Sequence, residues 1–132
     1  MTSRDDAPHH AHIYYLPAQR PAAAALRDAF LRESEDDDPA RILFVGRLAD
    51  RPVGPHPIPQ FEIHFGARAV EAVAARIEAS GLSALIHPLT DDDLADHTSL
   101  ARWIGEPIAL DVSTLDPPGH NQGVERFGKT DF

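Results

Sequence analysis

An α+β domain built around one antiparallel sheet is the fold class that this sequence predicts, and three observations predict it. Four short apolar or alternating segments have strand length. Two longer segments carry apolar residues at helical spacing. Their order is strand, helix, strand, strand, helix, strand, followed by one further helix and one further strand. With 132 residues, of which 42% are hydrophobic, the chain can bury one core.

Residues 1–8 are polar and read as a flexible N-terminus, residues 9–115 as the domain, and residues 116–132 as a tail packing on the body or on a neighbouring subunit. The first strand runs through His12 to Leu16. Pleating sets His10, His12 and Tyr14 on one face and Ala11, Ile13 and Tyr15 on the other. Pro17 ends this strand. Pro21 suits a first helical turn, and residues 22–33 place Ala23, Leu26 and Phe30 on one helix face. The acidic run 35–39 reads as a solvated loop.

Residues 42–48 read as the second strand. The loop 49–59 contains Pro52, Pro55, Pro57 and Pro59, which hold His56 in a nearly fixed position. Phe61, Ile63 and Phe65 alternate with Gln60, Glu62 and His64 in the third strand. Val70, Val73, Ala74 and Ile77 stripe the second helix, which Gly81 ends. Residues 82–87 form the fourth strand. Thr90 then fits a helix N-cap, with Leu94, His97, Ala101 and Ile104 on one face of a helix stopped by Gly105 and Pro107. Residues 108–112 read as a last strand.

Composition removes several kinds of function. There is no cysteine, so thiolate metal sites, disulfides and cysteine nucleophiles are excluded, and any metal must sit on His, Asp, Glu or water. A formal net charge of -9 opposes a nucleic-acid partner. No apolar run approaches a membrane span and no signal-peptide core is present, so a cytoplasmic protein is expected. Neither a nucleophile elbow nor a glycine-rich phosphate loop occurs.

The eight histidines carry more information. A βαββαβ run most often forms a ferredoxin-like sheet of spatial order 4-1-3-2. We expect the first and third strands to be parallel neighbours and the fourth to lie antiparallel beside the first. One sheet edge then collects His10 and His12, His56 and His87, with His97 just beyond. Clustered neutral imidazoles suit iron, zinc or copper and equally suit acid–base work. A polar structural cluster and a subunit contact are the competing readings. Glu62 and His64, opposite the apolar stripe, read first as open-sheet or interface residues, with Glu62 a further carboxylate ligand. An open face there favours a homodimer. His9 and His120 are expected to face solvent. Tyr14 reads equally as a hydrogen-bond donor near the site and as an interface aromatic.

Several segments of this chain, H-A-H-I-Y-Y (10–15), V-G-P-H-P (53–57), L-I-H-P-L-T (85–90), D-L-A-D-H-T (93–98) and W-I-G-E-P-I-A-L-D-V-S-T-L (103–115), together resemble the DOPA 4,5-dioxygenase family across about residues 10–115. The resemblance implies a small ferredoxin-like enzyme that opens the catechol ring of a substrate such as DOPA by extradiol cleavage, using dioxygen and non-haem Fe(II), with zinc or another divalent metal as a substitute. It implies His12, His56 and His87 as metal ligands, His10 beside them as an alternative ligand or catalytic residue, and His97 as an acid–base residue near the catechol. Asp91 stands where the family commonly has glycine, and Ala49 where a histidine is common. The alternative function is a metal- or small-ligand-binding protein without oxygenase activity.

Overall fold

The computed structural model describes residues 7–33, 42–90 and 92–115. The acidic run, His120 and the expected tail lie outside these residues. Five strands form one antiparallel sheet: β1 (Pro8–Tyr14), β2 (Phe44–Val45), β3 (Gln60–Gly66), β4 (Ser83–Pro88) and β5 (Arg102–Ile104). Their order is β2-β3-β1-β4-β5. The expected neighbour order 4-1-3-2 is contained in it, with β5 added beside β4.

The direction of one pair differs from expectation. β1 runs antiparallel to β3, with Pro8 opposite Gly66 and Tyr14 opposite Gln60. A split βαβ connection requires this, because β3 lies between strands that run the other way. The starts of β1 and β3 are therefore at opposite ends of the sheet. Histidines meeting from both must do so across a sheet face, not along one edge.

The helices α1 (Arg20–Glu33) and α2 (Val70–Ser80) cover one face. Ala23, Leu26 and Phe30 of α1 and Val73, Ala74 and Ile77 of α2 bury the stripes that periodicity predicts. They pack on Ala11, Ile13, Phe61, Ile63, Phe65, Ala84, Ile86 and Ile104, one apolar residue from every second position of four strands. Gly81 closes α2 at φ +78°, a left-handed conformation that glycine adopts without a Cβ penalty. β2 is shorter than the expected 42–48, yet this segment follows β3 throughout. Leu43 N–H donates to His64 O at 2.8 Å, Gly46 N–H to Glu62 O at 2.8 Å, and Ala49 N–H to Gln60 O at 2.9 Å.

The C-terminal part departs most from expectation. Helix α3 spans only Asp93–His97, and its N-cap is Asp92, whose carboxylate accepts Ala95 N–H at 3.0 Å. Thr90 instead donates its hydroxyl to Asp96 Oδ1 at 2.6 Å. Leu94 is exposed, whereas His97 faces inward as expected. After His97 the chain turns and supplies β5, where a continuous helix was expected. Residues 102–104 alternate: Ile104 enters the core, Arg102 pairs with Glu71 at 2.6 Å, and Trp103 goes to the opposite face. The unpaired edge of β4 thereby gains a partner. Residues 108–112 form no strand. A short 3-10 turn covers Val112–Thr114, and Asp111 N–H donates to Pro55 O at 2.9 Å. Among the described residues no helix is long and apolar enough to cross a membrane.

Gly105 leaves β5 at φ +72°, and a Cβ there would come within 2.9 Å of Ser83 Oγ. Gly105→Ala is expected to lower the free energy of unfolding by about 1–2 kcal/mol, the cost of a left-handed alanine, plus the displacement of Ser83. Denaturant unfolding of the two proteins checks this, and equal stabilities would contradict it.

Candidate metal centre

The second sheet face is polar, and strand register explains its composition. His10 of β1 lies directly opposite His64 of β3 on one side and His87 of β4 on the other. One pleat along, His12 lies opposite Glu62 and Leu85. Tyr14 and Gln60 pair in the next row. Three histidines therefore form a transverse row, and a fourth stands one step away on the same face.

His56 comes over this face from the proline-rich loop. Its backbone exchanges hydrogen bonds with Val53, at 2.9 and 3.1 Å, around Gly54 at φ +51°. Tyr15 and Arg20 both bond Asp50, at 2.7 and 2.9 Å, which ties the loop base to β1 and α1. His97 arrives from α3. Its ring centroid is 4.3 Å from His87 and 6.1 Å from both His12 and His56. All five expected site histidines thus meet, although across a face.

Glu62 and His64, read as open-sheet residues, belong to the same cluster. Within a single chain they are 1% and 0% exposed, which removes the argument for a homodimer through this face. His64 stacks on His10 with centroids 3.7 Å apart and planes 8° apart, and Phe44 packs on its other side at 4.5 Å. His64 Nε2 lies 3.2 Å from Glu62 Oε2, and His10 Nδ1 lies 3.4 Å from the same oxygen. Antiparallel pairing accounts for this: position 64 of the third strand faces position 10 of the first. Gln60, whose Oε1 lies 3.1 Å from His12 Nδ1, had no signal beyond its place on the same face. His9, expected in solvent, is half-buried on the helix face against Phe65.

Hydrogen bonding fixes which nitrogens are available. His87 Nδ1–H donates to Pro88 O at 2.7 Å, leaving Nε2 as a bare lone pair. His12 Nδ1–H donates to Gln60 Oε1, which leaves its Nε2 bare as well. These two Nε2 atoms are 3.0 Å apart in a buried site. Facing lone pairs at that distance repel, and a shared proton or a cation between them relieves the repulsion. Neighbouring nitrogen ligands on one ion with bonds of about 2.1 Å are about 3.0–3.4 Å apart, so the pair fits a metal ion. His10 Nε2, also buried, has no hydrogen-bond partner among the described residues.

Among the described residues, three groups bring ligand atoms within 4.8 Å of one another: His10, His12 and His87; His12, His56 and His97; and His10, Glu62 and His64. The expected trio His12, His56 and His87 is divided between the first two. His56 instead hydrogen-bonds through Nδ1 to Tyr14 Oη at 2.7 Å. Desolvation pushes the Tyr14 hydroxyl pKa upward, so it stays protonated.

Burial also keeps the imidazoles neutral. His56 and His64 titrate at about 3 through desolvation, with the neighbouring His97 and His87 adding to the effect at His56. Desolvation, then repulsion from surrounding imidazoles, holds His10, His12 and His87 well below the ordinary 6.5. A histidine depressed in the folded state protonates first in the unfolded chain. Its stability contribution is intact above about pH 6.5 and is lost as pH falls toward the folded-state value. Each such group costs about 1.4 kcal/mol per pH unit in that window, so His56 and His64 together cost about 3 kcal/mol per unit. The chelator-treated protein is expected to unfold cooperatively between about pH 6.5 and 4.5, within the usual stability of about 5–15 kcal/mol. Circular dichroism against pH checks this; an unchanged spectrum and thermal midpoint down to pH 4.5 would contradict it.

Comparisons with known proteins point to one family. A model of the Dopa 4,5-dioxygenase family matches residues 9–114. DOPA 4,5-dioxygenase of Amanita muscaria is 36% identical over an alignment of 112 residues that covers 80% of this chain and 48% of that protein. An uncharacterised 21.2 kDa protein of Botryotinia fuckeliana is 34% identical over an alignment of 117 residues that covers 79% of this chain and 61% of that protein. The chain therefore spans about half the length of the curated relatives it matches. A crystal structure from Nostoc punctiforme, described as that of a candidate dioxygenase, is similar at a TM-score of 0.69 and 30% identity, covering 86% of this chain and 95% of that one. Since the family match runs through every residue of the buried histidine face, the chain belongs to the Dopa 4,5-dioxygenase family.

Proposed function

We propose that the chain is an extradiol dioxygenase that opens the ring of a catechol, DOPA being the first candidate, with non-haem ferrous iron. The observation that carries this reading is the His12–His87 pair, with two bare nitrogens 3.0 Å apart in a buried, cysteine-free, polar face. The similarity to a protein named DOPA 4,5-dioxygenase supports the substrate class. His10, His12 and His87 would hold the ion, and imidazole suits iron as well as zinc. Bound ferrous iron would supply chelation of both catechol oxygens and activation of dioxygen.

The side chains supply the proton transfers. A neutral histidine carries one N–H. Tyr14 is buried and protonated, and its hydroxyl needs an acceptor. His56 Nδ1, 2.7 Å away, is that acceptor. The His56 proton then sits on Nε2, which makes His56 a proton donor beside the centre and not a ligand. His97, on the short helix α3 with its ring 4.3 Å from His87, would accept a catechol proton. Trp103 lies on Tyr14 at 6.0 Å with planes 21° apart and gives the site a flat apolar wall suited to an aromatic ring. Extradiol cleavage puts both atoms of dioxygen into the ring-opened product, so no external reductant is consumed and the protein has only protons to move.

Protein reconstituted anaerobically with ferrous iron is expected to consume dioxygen with L-DOPA or a simpler catechol, in step with a yellow ring-opened product. His87→Ala is expected to lose bound iron. His97→Ala should retain iron and lose about 10²–10⁴-fold in kcat. Iron bound without any uptake would replace this reading with that of a binding protein, and full activity in His87→Ala would remove His87 from the centre.

A further inference from the structure

We propose that Glu62 is a positioning residue for the metal centre: it holds the proton of His10 on Nδ1 and so presents His10 Nε2, as a bare lone pair, to the His12–His87 pair. The inference rests on the metal-centre reading above and extends it to a carboxylate that nothing in that reading uses.

The argument starts from the single N–H of a neutral imidazole. His10 has two places for it. At Nδ1 the proton meets Glu62 Oε2 at 3.4 Å. At Nε2 it would be buried with no acceptor among the described residues. A dry, unpartnered N–H is costly, whereas an N–H facing a carboxylate is favoured. The proton therefore belongs on Nδ1, and His10 joins His12 and His87 as a third imidazole with a bare Nε2 in one buried group.

Glu62 is itself held in place. His64 Nε2 lies 3.2 Å from the same oxygen, so Oε2 faces a ring nitrogen on the edge of each of two stacked imidazoles. Phe44 backs His64, and the backbone at Gly46 lies over Glu62, where a Cβ would come within 3.2 Å of Glu62 Cγ. The carboxylate thus has little room to turn away. Metal-ligating histidines commonly donate their other N–H to a carboxylate, which fixes ring orientation and raises ligand basicity. A divalent ion on three neutral imidazoles also lacks an anionic partner, and Glu62 supplies one within the same buried face without touching the ion.

The test uses Glu62→Gln, which keeps shape and removes the charge. Anaerobic competition of ferrous iron against a chromophoric chelator is expected to show affinity weakened about 10–100-fold, with circular dichroism unchanged. Nitrogen-15 NMR of the metal-free wild type, with His10 identified by its absence in His10→Gln, is expected to show the proton on Nδ1. Wild-type affinity in folded Glu62→Gln would overturn the proposal, including where only the thermal midpoint falls, because a merely structural role moves stability alone. A wild-type His10 proton on Nε2 would overturn it too, and that measurement decides the matter if the variant does not fold. A wild type that binds no iron would instead end the metal-centre reading itself.

Discussion

Two imidazole nitrogens facing each other across adjacent strands, 3.0 Å apart and away from water, form the constraint on which the rest of this site depends. Neither can carry a proton into that space cheaply, because burial and neighbouring imidazoles both disfavour the charge. The surrounding structure removes the remaining freedom. Pro88 O and Gln60 Oε1 take the Nδ1 protons of His87 and His12. What is left is an arrangement of lone pairs whose natural counterpart is a cation. The proline loop and the short α3 serve to keep this face dry and its rings oriented.

The sheet divides the work between its faces. One face is an ordinary core of Ala, Ile and Phe against two helices. The other buries Gln60, Glu62, Asp96 and six of the seven histidines among the described residues, where a sheet of this size would gain more stability from apolar residues. A chain of this length has little core to spare, so a polar face of this kind marks function over stability. The sensitivity to mild acid is the physical consequence: the same dryness that leaves imidazoles neutral and ready to bind a metal makes the fold dependent on their staying neutral.

Much of this could be read from the residues. Alternation put His10, His12 and Tyr14 on one face, the prolines around His56 implied a fixed loop, and the element order gave the strand neighbours. What could not be read was set by pairing and not by composition. The first and third strands are antiparallel because β3 fills the gap of a split crossover, so convergence happens across a face. The helix expected through residue 104 stops at His97, because the free edge of β4 takes residues 102–104 as a strand. Glu62 and His64 looked exposed because a strand with one polar face usually is; nothing local signals that residues 43–49 and a loop will cover it. The bond between His56 and the Tyr14 hydroxyl likewise joins residues 42 positions apart, which no local pattern signals.

Anomalous diffraction at the iron edge from crystals grown with ferrous iron under anaerobic conditions tests the central claim most directly. The account predicts a single strong peak within bonding distance of His12 Nε2 and His87 Nε2, next to His10 Nε2. A peak centred on other residues, or none in crystals of protein shown to carry iron in solution, would contradict it.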